Sequence, residues 1–552
     1  MGLCSLRRFR HRHWKGRSKP SSETGEDMYP MCAFNFYMTS VDTNSYGIGD
    51  THIYKIYTTT IDILPDDVLL EIFDCVRSSR KNFDDTWERK WNTLVHVCRR
   101  WRQLVFASPL RLDLTLLCTY QTPVKKLLSC WPAFPIVVDC FGRDPSPGEE
   151  DNVFAALENS GRVREVFLSL RGSFWRKMAA MIQQPFPALN RLSISLTDAD
   201  IPVVPGGFVG GSFPSLRDVH FYRIPIPNLP TFLSSASNIV KLELDQIPPP
   251  GYISPAALVA CLGMLPTLEE LSLSFQLGAF LYERSQSRLP FGTRAVLAAL
   301  TTFLFAGENA YLEDLMARID APRLSLIDIT HTSQLQDGDL DLDDQPEFLV
   351  PEFSKFISRS GLNSFPFALA EICFDYDERL SVLFCPENKP NKYAIAIRIS
   401  STEDMGWQVL SMAQVLHQTS AILSKVLKLN IKTDGDDPDF RLDNPGEISW
   451  VEVLLPFTAV ELLRVSRVLA ETIALALERI DVVRAVLPAL NVLCLMGQPE
   501  STIKKINENF QLCGRPLFIS GDKIREIGYL ESDEEEGPDE EEESDKEDSD
   551  GF

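Results

Sequence analysis

The 552-residue chain has no cysteine pair at C-x-x-C spacing and only seven histidines, two of them, His11 and His13, in a basic leader. Without Cys and His at ligand spacing, a structural zinc site has no donors to assemble. No apolar run reaches the roughly 18 residues that a membrane span requires. The longest, Ala295 to Ala306, is interrupted by threonines and reads as a buried helix. No secretory apolar core follows the basic start. The nucleophile-elbow, phosphate-loop, zinc-hydrolase and paired-glycine dinucleotide patterns are all missing, which excludes the motif-borne forms of those chemistries. Asp337 to Asp344 and Asp434 to Asp439 are rich in carboxylates, but neither has the EF-hand spacing of a calcium loop with its closing Glu; both read as solvated acidic loops. Gly206-Gly207 and Gly210-Gly211 follow Pro202 and Pro205 with no lysine behind them, which reads as a flexible loop rather than a phosphate cradle. The expectation is a protein with no metal, no cofactor and no catalysis of its own.

What is present is apolar surface and unevenly placed charge. Hydrophobic residues make up 44% of the chain, enough for a sizeable core, and Gly and Pro are near average abundance. Of the net −23, a share of −13 sits between Glu531 and Asp550, where fourteen acids face Lys546 alone, leaving −10 for the rest. Such a body gives no sign of a general nucleic-acid surface. The leader is basic, with Arg7, Arg8, Arg10, Arg12, Lys15, Arg17 and Lys19 before the first acid, Glu23. Its opening Met1-Gly2 approaches an acylation pattern, but Leu6 stands where Ser or Thr is wanted. Residues 1–60 and 526–552 lack periodicity and read as disordered. Ser532 and Ser544 have an acid three residues on, the context of an acidophilic kinase, although a plain solubilising tail explains them as well. The twelve scattered cysteines read as free thiols of a reducing compartment, cytoplasmic and/or nuclear.

Order is expected from Ile61. Pro65 suits a first helical turn, and Asp66 and Asp67 put negative charge at the positive end of the helix dipole. Val68 or Leu69, Ile72, Phe73 and Val76 follow as one apolar stripe. After a polar interruption, Trp91, Leu94, Val95, Val97, Cys98, Trp101, Leu104 and Val105 form a second apolar helical stretch with Arg99, Arg100 and Arg102 between them, ended by Pro109. About fifty residues are marginal for a self-sufficient core, yet this segment carries more large apolar side chains than its short helices can bury. Either a partner covers the surplus or the downstream chain does.

Leu64-Pro65-x-x-Val68-x-x-x-Ile72-Phe73, followed by Leu94-Val95-x-Val97-Cys98-Arg99-Arg100-Trp101-Arg102-x-Leu104-Val105-Phe106, resembles an F-box, with an insertion from Arg77 to Arg89 of the kind found in its basidiomycete branch. The resemblance implies three helices that dock a Skp-type adaptor and, through it, a cullin-RING ubiquitin ligase. By position it makes Leu64, Pro65, Val68, Leu69, Ile72, Phe73, Leu94, Val97, Cys98, Trp101 and Leu104 adaptor contacts, some of which must instead be core.

Downstream a motif recurs. Pro187-x-Leu189-x-x-Leu192-x-Ile194 has counterparts beginning at Pro214, Pro266, Pro322 and Pro488, and versions without proline begin at Val163, Ile239, Leu369, Val426 and Val460. The bare apolar pattern arises by chance about twenty times in such a chain, the proline-anchored one about once or twice; five anchored copies are present. The pattern is that of leucine-rich repeats, in which L-x-L alternates on a short strand and the preceding leucine seals the turn. Ala256–Leu265, Arg294–Phe305 and Arg467–Ile480 read as helical connections, and the longest interval, from Leu369 to Val426, as hiding a repeat or an insertion. Thr197, Gln276 and Thr332 replace the Asn or Cys that ends a regular repeat, so the array is expected to be irregular. The stretch from Leu455 to Leu490 also resembles the usual end of these F-box proteins, which extends the resemblance from about Ile61 to Ile519.

The expected fold is therefore α/β: a basic region over 1–60, a short all-α F-box over 61–117, an irregular leucine-rich-repeat-like solenoid over 118–525 and an acidic tail over 526–552. The implied function is a substrate receptor of a ubiquitin ligase complex, with a non-catalytic scaffold or diverged copy outside ubiquitin transfer as the alternative. Ser193, Ser195, Ser272, Ser274, Asp328 and Thr330 alternate with the inward residues and would form a shallow polar strip for a protein target.

Overall fold

The computed structural model describes residues 63–78, 93–109, 111–141, 146–197, 212–226, 229–276, 294–333, 351–375, 379–387, 392–401, 405–433 and 450–520. The expectations for the leader, most of the 77–89 insertion, the glycine loop at 206–211, the two acidic loops and the tail from 526 lie outside these residues. The chain divides into two compact units, one ending at Ser79 and the other beginning at Arg80. The division falls inside the segment expected to be one F-box module.

In the first unit the described element is the helix Asp66–Ser78, which starts where the acidic turn placed it. The second unit is a mixed α/β structure built on a sixteen-stranded sheet. Its first seven strands lie side by side in chain order: β1 (Leu116–Cys118), β2 (Ile136–Cys140), β3 (Val163–Leu170), β4 (Arg191–Leu196), β5 (Asp218–Tyr222), β6 (Lys241–Ile247) and β7 (Glu270–Phe275). A separate two-stranded ladder joins β8 (Ala295–Val296) to β10 (Ile319–Asp320). The main sheet continues through β9 (Thr302–Gly307) and β11 (Leu326–Ser333), all parallel. The chain next makes β12 (Phe367–Asp375), β13 (Arg379–Pro386) and β14 (Ile395–Ser401), and the order reverses: β14 pairs with β11, β13 follows, and β12 lies beyond. Beyond β12 come β15 (Lys428–Thr433), β16 (Leu462–Val465), β17 (Val492–Leu495) and β18 (Phe518–Ser520), again parallel. The sheet is mixed because of β13, which runs against both neighbours.

Each of the ten repeat motifs falls on a strand of this sheet, and the L-x-L pair of every copy is buried. The residue that precedes the pair is buried in nine of them; the exception, Leu369, starts the copy that opens the antiparallel insertion. Burial alternates along the strands, as on β3 and β6, because successive side chains point to opposite faces. Helices between strands, such as Pro147–Leu157, Pro255–Leu262, Asn309–Arg318 and Arg467–Leu477, form a second layer in which most successive helices touch. The core lies between the layers and includes Trp175, Phe213, Phe232, Phe303 and Trp450, whose indole N–H donates to Thr472 Oγ1 at 3.0 Å.

Polar side chains stitch the turns together. Ser215 Oγ donates to the Pro187 carbonyl at 2.7 Å, Asn238 Nδ2 to Pro214 at 2.7 Å and Thr267 Oγ1 to Ile239 at 2.9 Å. Each donor holds the residue just before the turn-sealing apolar position and reaches back one repeat, so backbone that the turn leaves unpaired gains a partner. Thr197, expected to mark irregularity, does the same with Leu170 at 3.2 Å. At the far end the Arg515 guanidinium donates to the carbonyls of Val483, Val486 and Leu487 and lies 4.9 Å from the Phe510 ring centroid. It closes the C-terminal end of the helix Ile480–Ala485, whose last carbonyls have no partner within the helix.

One helical expectation is corrected. Ala295–Ala306 is not a buried helix: it carries β8 and most of β9. Leu300-x-x-Phe303-x-Phe305 is itself a repeat motif, with all three residues buried, and Thr301 Oγ1 bonds back to the Glu269 carbonyl at 3.1 Å. β-branched threonines favour the pleated surface that this register offers. The connections at Pro255–Leu262 and Arg467–Leu477 are helical as expected. The long interval from Leu369 to Val426 holds the insertion, β13 and β14, followed by the helix Met405–Gln418.

Candidate interaction surfaces

The expected contact residues lie on two separate helical segments and on the sheet. On the helix Asp66–Ser78, Leu69 donates its N–H to the Pro65 carbonyl at 3.1 Å, which sets the first turn. Leu69 and Phe73, four residues apart, are fully buried and Leu70 nearly so. Val68 and Ile72 lie on the adjacent line of the same helix and are each 37% exposed. Residues four apart stack on one helical face, so the expected apolar stripe divides into a covered line and an open one. Leu64 is half-buried and Pro65 exposed.

The second candidate segment belongs to the unit that begins at Arg80 and is broken where one helical stretch was expected. Residues 93–97 are helical, Cys98 is extended, and a new helix runs Arg99–Ala107. Cys98 is the N-cap: its Sγ accepts the Trp101 N–H at 3.4 Å, and its carbonyl accepts that of Arg102 at 3.1 Å. Arg102 Nε reaches back to the Val95 carbonyl at 2.9 Å, tying the two turns. The cysteine followed by basic residues and tryptophan thus marks a cap and its tie. Leu94, Val95 and Val105 are buried, Cys98, Trp101 and Leu104 half-buried, and Val97 is 50% exposed. Phe106 packs edge-on against Trp131, with centroids 5.8 Å apart.

The other surface is the sheet face turned away from the helices. Registers place Phe167, Ser193, His220, Glu243, Ser272, Leu304 and Asp328 in one row across seven adjacent strands. Ser274, Ala306 and Thr330 stand in the next row, and Ser195 pairs with Tyr222 toward the N-terminal side. All six expected target residues therefore share this face. They are not equally open. Ser193 and Asp328 are each only 9% exposed. Ser193 Oγ lies 3.1 Å from His220 Nδ1, and Asp328 is engaged by the Arg398 guanidinium and by the Tyr393 hydroxyl at 3.3 Å. The strip expected to run open through Asp328 is thus roofed there; Ser195, Ser272, Ser274 and Thr330 remain half-exposed.

The face is also far more charged than the serine pattern suggested. Glu165, Arg191, Asp218, Lys241 and Glu270 align in one row on five adjacent strands, alternating in sign. Arg191 lies 3.7 Å from Glu165 and 3.2 Å from Asp218, and Lys241 is 3.1 Å from Glu270 and 3.0 Å from Glu243. Burial pushes the Glu165 carboxyl up, against the pull of Arg191 and Arg164. Burial works to lower Lys241, but Glu243 and Glu270 outweigh it and hold the amine above its ordinary range. The signal was available in the sequence: each ladder residue immediately precedes the L-x-L pair of its copy.

His220 Nε2 also lies 3.3 Å from Asp245 Oδ2, so Ser193, His220 and Asp245 form a chain. Its order mimics an acyl-transfer triad. Ser193 itself sits mid-strand, with β3 and β5 paired on either side of it. Burial raises the Cys118 thiol to about 12 and the Cys385 thiol to about 11, so both stay protonated and non-nucleophilic at neutral pH. Among the described residues no cluster of His, Cys, Asp or Glu could hold a metal, and no helix is long and apolar enough to cross a membrane. No protein-family model matches the chain, and no curated protein is significantly similar to it.

Proposed function

We propose that this protein is a non-catalytic receptor of the F-box kind, docking a Skp-type adaptor through its N-terminal helical segment and presenting a protein target to a ubiquitin ligase on an irregular leucine-rich-repeat-like scaffold. The observation that carries the reading is the open apolar line, Val68 and Ile72, beside the covered line of Leu69 and Phe73. Water-facing β-branched residues four apart on an otherwise amphipathic helix are surface that a partner would bury. Val97 supplies a further exposed apolar side chain in the segment that follows. The scaffold half of the reading draws on parallel strands laid down largely in chain order, eleven of the sixteen built from the same motif, with one face closed by helices and the other open.

The test replaces Val68 and Ile72 together with Glu in the full chain. Both positions are exposed, so the helix and the sheet should melt as before. Adaptor recovered with the unaltered chain should fall by at least tenfold with the variant, and with it any cullin. Undiminished adaptor recovery by a folded variant would overturn the assignment, as would an unaltered chain that recovers no adaptor at all.

A further inference from the structure

The array ends in a strand with one side unused. β18 stands last in the sheet order, and among the described residues its strand partner is β17 alone. The Phe518 N–H donates to the Asn491 carbonyl at 3.0 Å, on the β17 side. Backbone groups alternate in direction along a strand, so the N–H and C=O of Ile519 face the free edge. Side chains alternate as well. Ile519, in register with the buried Leu493, packs half-buried against the core. Phe518, in register with Val492, stands 62% exposed on the open face. The last helix, Glu500–Leu512, likewise leaves Leu512 71% exposed. In a stacked array each repeat is covered by the next, so this end presents the apolar surface and the open backbone that one further unit would cover.

We propose that residues 523–526 of this same chain turn back along β18 as an antiparallel strand and close that edge. The sequence after the strand is the first ground. Ser520-Gly521-Asp522-Lys523 has the turn-forming residues of a four-residue hairpin loop. Across such a loop Ile519 faces Ile524 as a hydrogen-bonded pair. The Ile524 N–H donates to the Ile519 carbonyl and the Ile519 N–H to the Ile524 carbonyl, which uses both groups that the alternation leaves open. Ile524 then falls on the inward side beside Ile519. Arg525 falls on the open face opposite Phe518, where its guanidinium covers the exposed ring. A slip of one residue would turn Lys523 or Arg525 inward, so the register is specified. Attachment is the second ground. A segment so few residues from its docking edge has an effective concentration in the millimolar range. A second copy has no such advantage, because an edge three residues long falls far short of the roughly 1,000 Å² that a stable interface buries. Closure denies the end of the sheet to strands of other chains.

The contact is measured in the full chain without adaptor or target, so its outcome is separate from that of the adaptor test. Hydrogen exchange reads the edge. In the unaltered chain the Ile519 and Ile524 amides should exchange at least tenfold more slowly than in a free peptide of residues 515–530, at a rate independent of protein concentration. Ile524→Pro removes the donor N–H and should speed exchange at Ile519 by tenfold or more, with the amides of Val492–Leu495 on β17 unchanged. Ile524→Val should keep the protection. The register is read by cross-linking. In a chain carrying Phe518→Cys and Arg525→Cys, oxidised glutathione should join the two within one molecule, because a non-hydrogen-bonded pair brings its Cβ atoms close. Phe518→Cys with Glu526→Cys, on opposite faces, should join at least tenfold more slowly. An unprotected Ile524 amide in the unaltered chain would overturn the proposal, as would protection of Ile519 that survives Ile524→Pro. Protection that grows with protein concentration would overturn it by assigning the edge to a second copy, and equal cross-linking rates would overturn the register and the strand with it.

Discussion

The strands before the antiparallel insertion and those after it share one inward grammar and carry opposite outward charge. Leu242 and Leu244 on β6 are as buried as Leu463 and Val465 on β16, and both pairs follow a buried apolar residue in the preceding turn. Outward, β6 begins with Lys241 between Asp218 and Glu270, whereas β16 turns Arg464 toward Asn430 and Cys494. The inward positions answer to packing, which admits few solutions. The outward positions answer to solvent and to whatever the face meets, so they can diverge while the fold persists.

If the inward grammar is one system, equivalent truncations must cost the same in both flanks. Leu242→Ala and Leu463→Ala should each destabilise their surroundings by about 3 kcal/mol. Hydrogen exchange of the amides in each flank reads this locally, since a stacked array loses stability chiefly near the lesion. A difference beyond about 1.5 kcal/mol would separate the flanks. The next effect belongs to the later flank. Arg515→Ala removes the donor to three carbonyls at the end of the Ile480–Ala485 helix and should cost about 2 kcal/mol, read in the exchange of β16 and β17 with β3–β6 unchanged. The smallest effect belongs to the earlier flank. Asp218→Lys sets like charges beside Arg191 and Lys241 and should cost about 0.5–1 kcal/mol at low salt, most of it recovered in 1 M salt.

The sequence made the inward residues legible because burial writes a period of two beside a turn-sealing leucine. Leu192, Ile194, Leu271 and Leu273 were readable for that reason, and the proline in front of them raised the pattern above chance. β1 and β13 were not: β1 is three residues long, and β13 has no turn-sealing residue ahead of it because it enters from the opposite end. β9 was misread because an apolar run of that length also suits a helix. In the N-terminal segment the apolar positions were readable but their division was not, since Val68 and Leu69 differ only in which helical line is covered. Ser193 and Asp328 were rightly placed on the outer face. Their enclosure depends on His220 and Arg398, which the chain brings in from other strands, and on Tyr393, just ahead of β14.

The antiparallel insertion has a consequence of parity. β12 and β14 both run with β11, because the hairpin-linked strands β12, β13 and β14 reverse the chain twice. Had the chain added β13 alone, it would have finished at the opposite edge of the sheet, the edge where the next parallel strand begins. A connection from there to β15 would have no length of sheet to cross, and the helix Met405–Gln418, which packs on β13 and β14, would lose its place. An array of this kind can therefore take up hairpin-linked strands only in even numbers if its helical crossovers are to resume afterward. Removing residues 379–401 would leave β12 with the correct polarity to pair directly with β11.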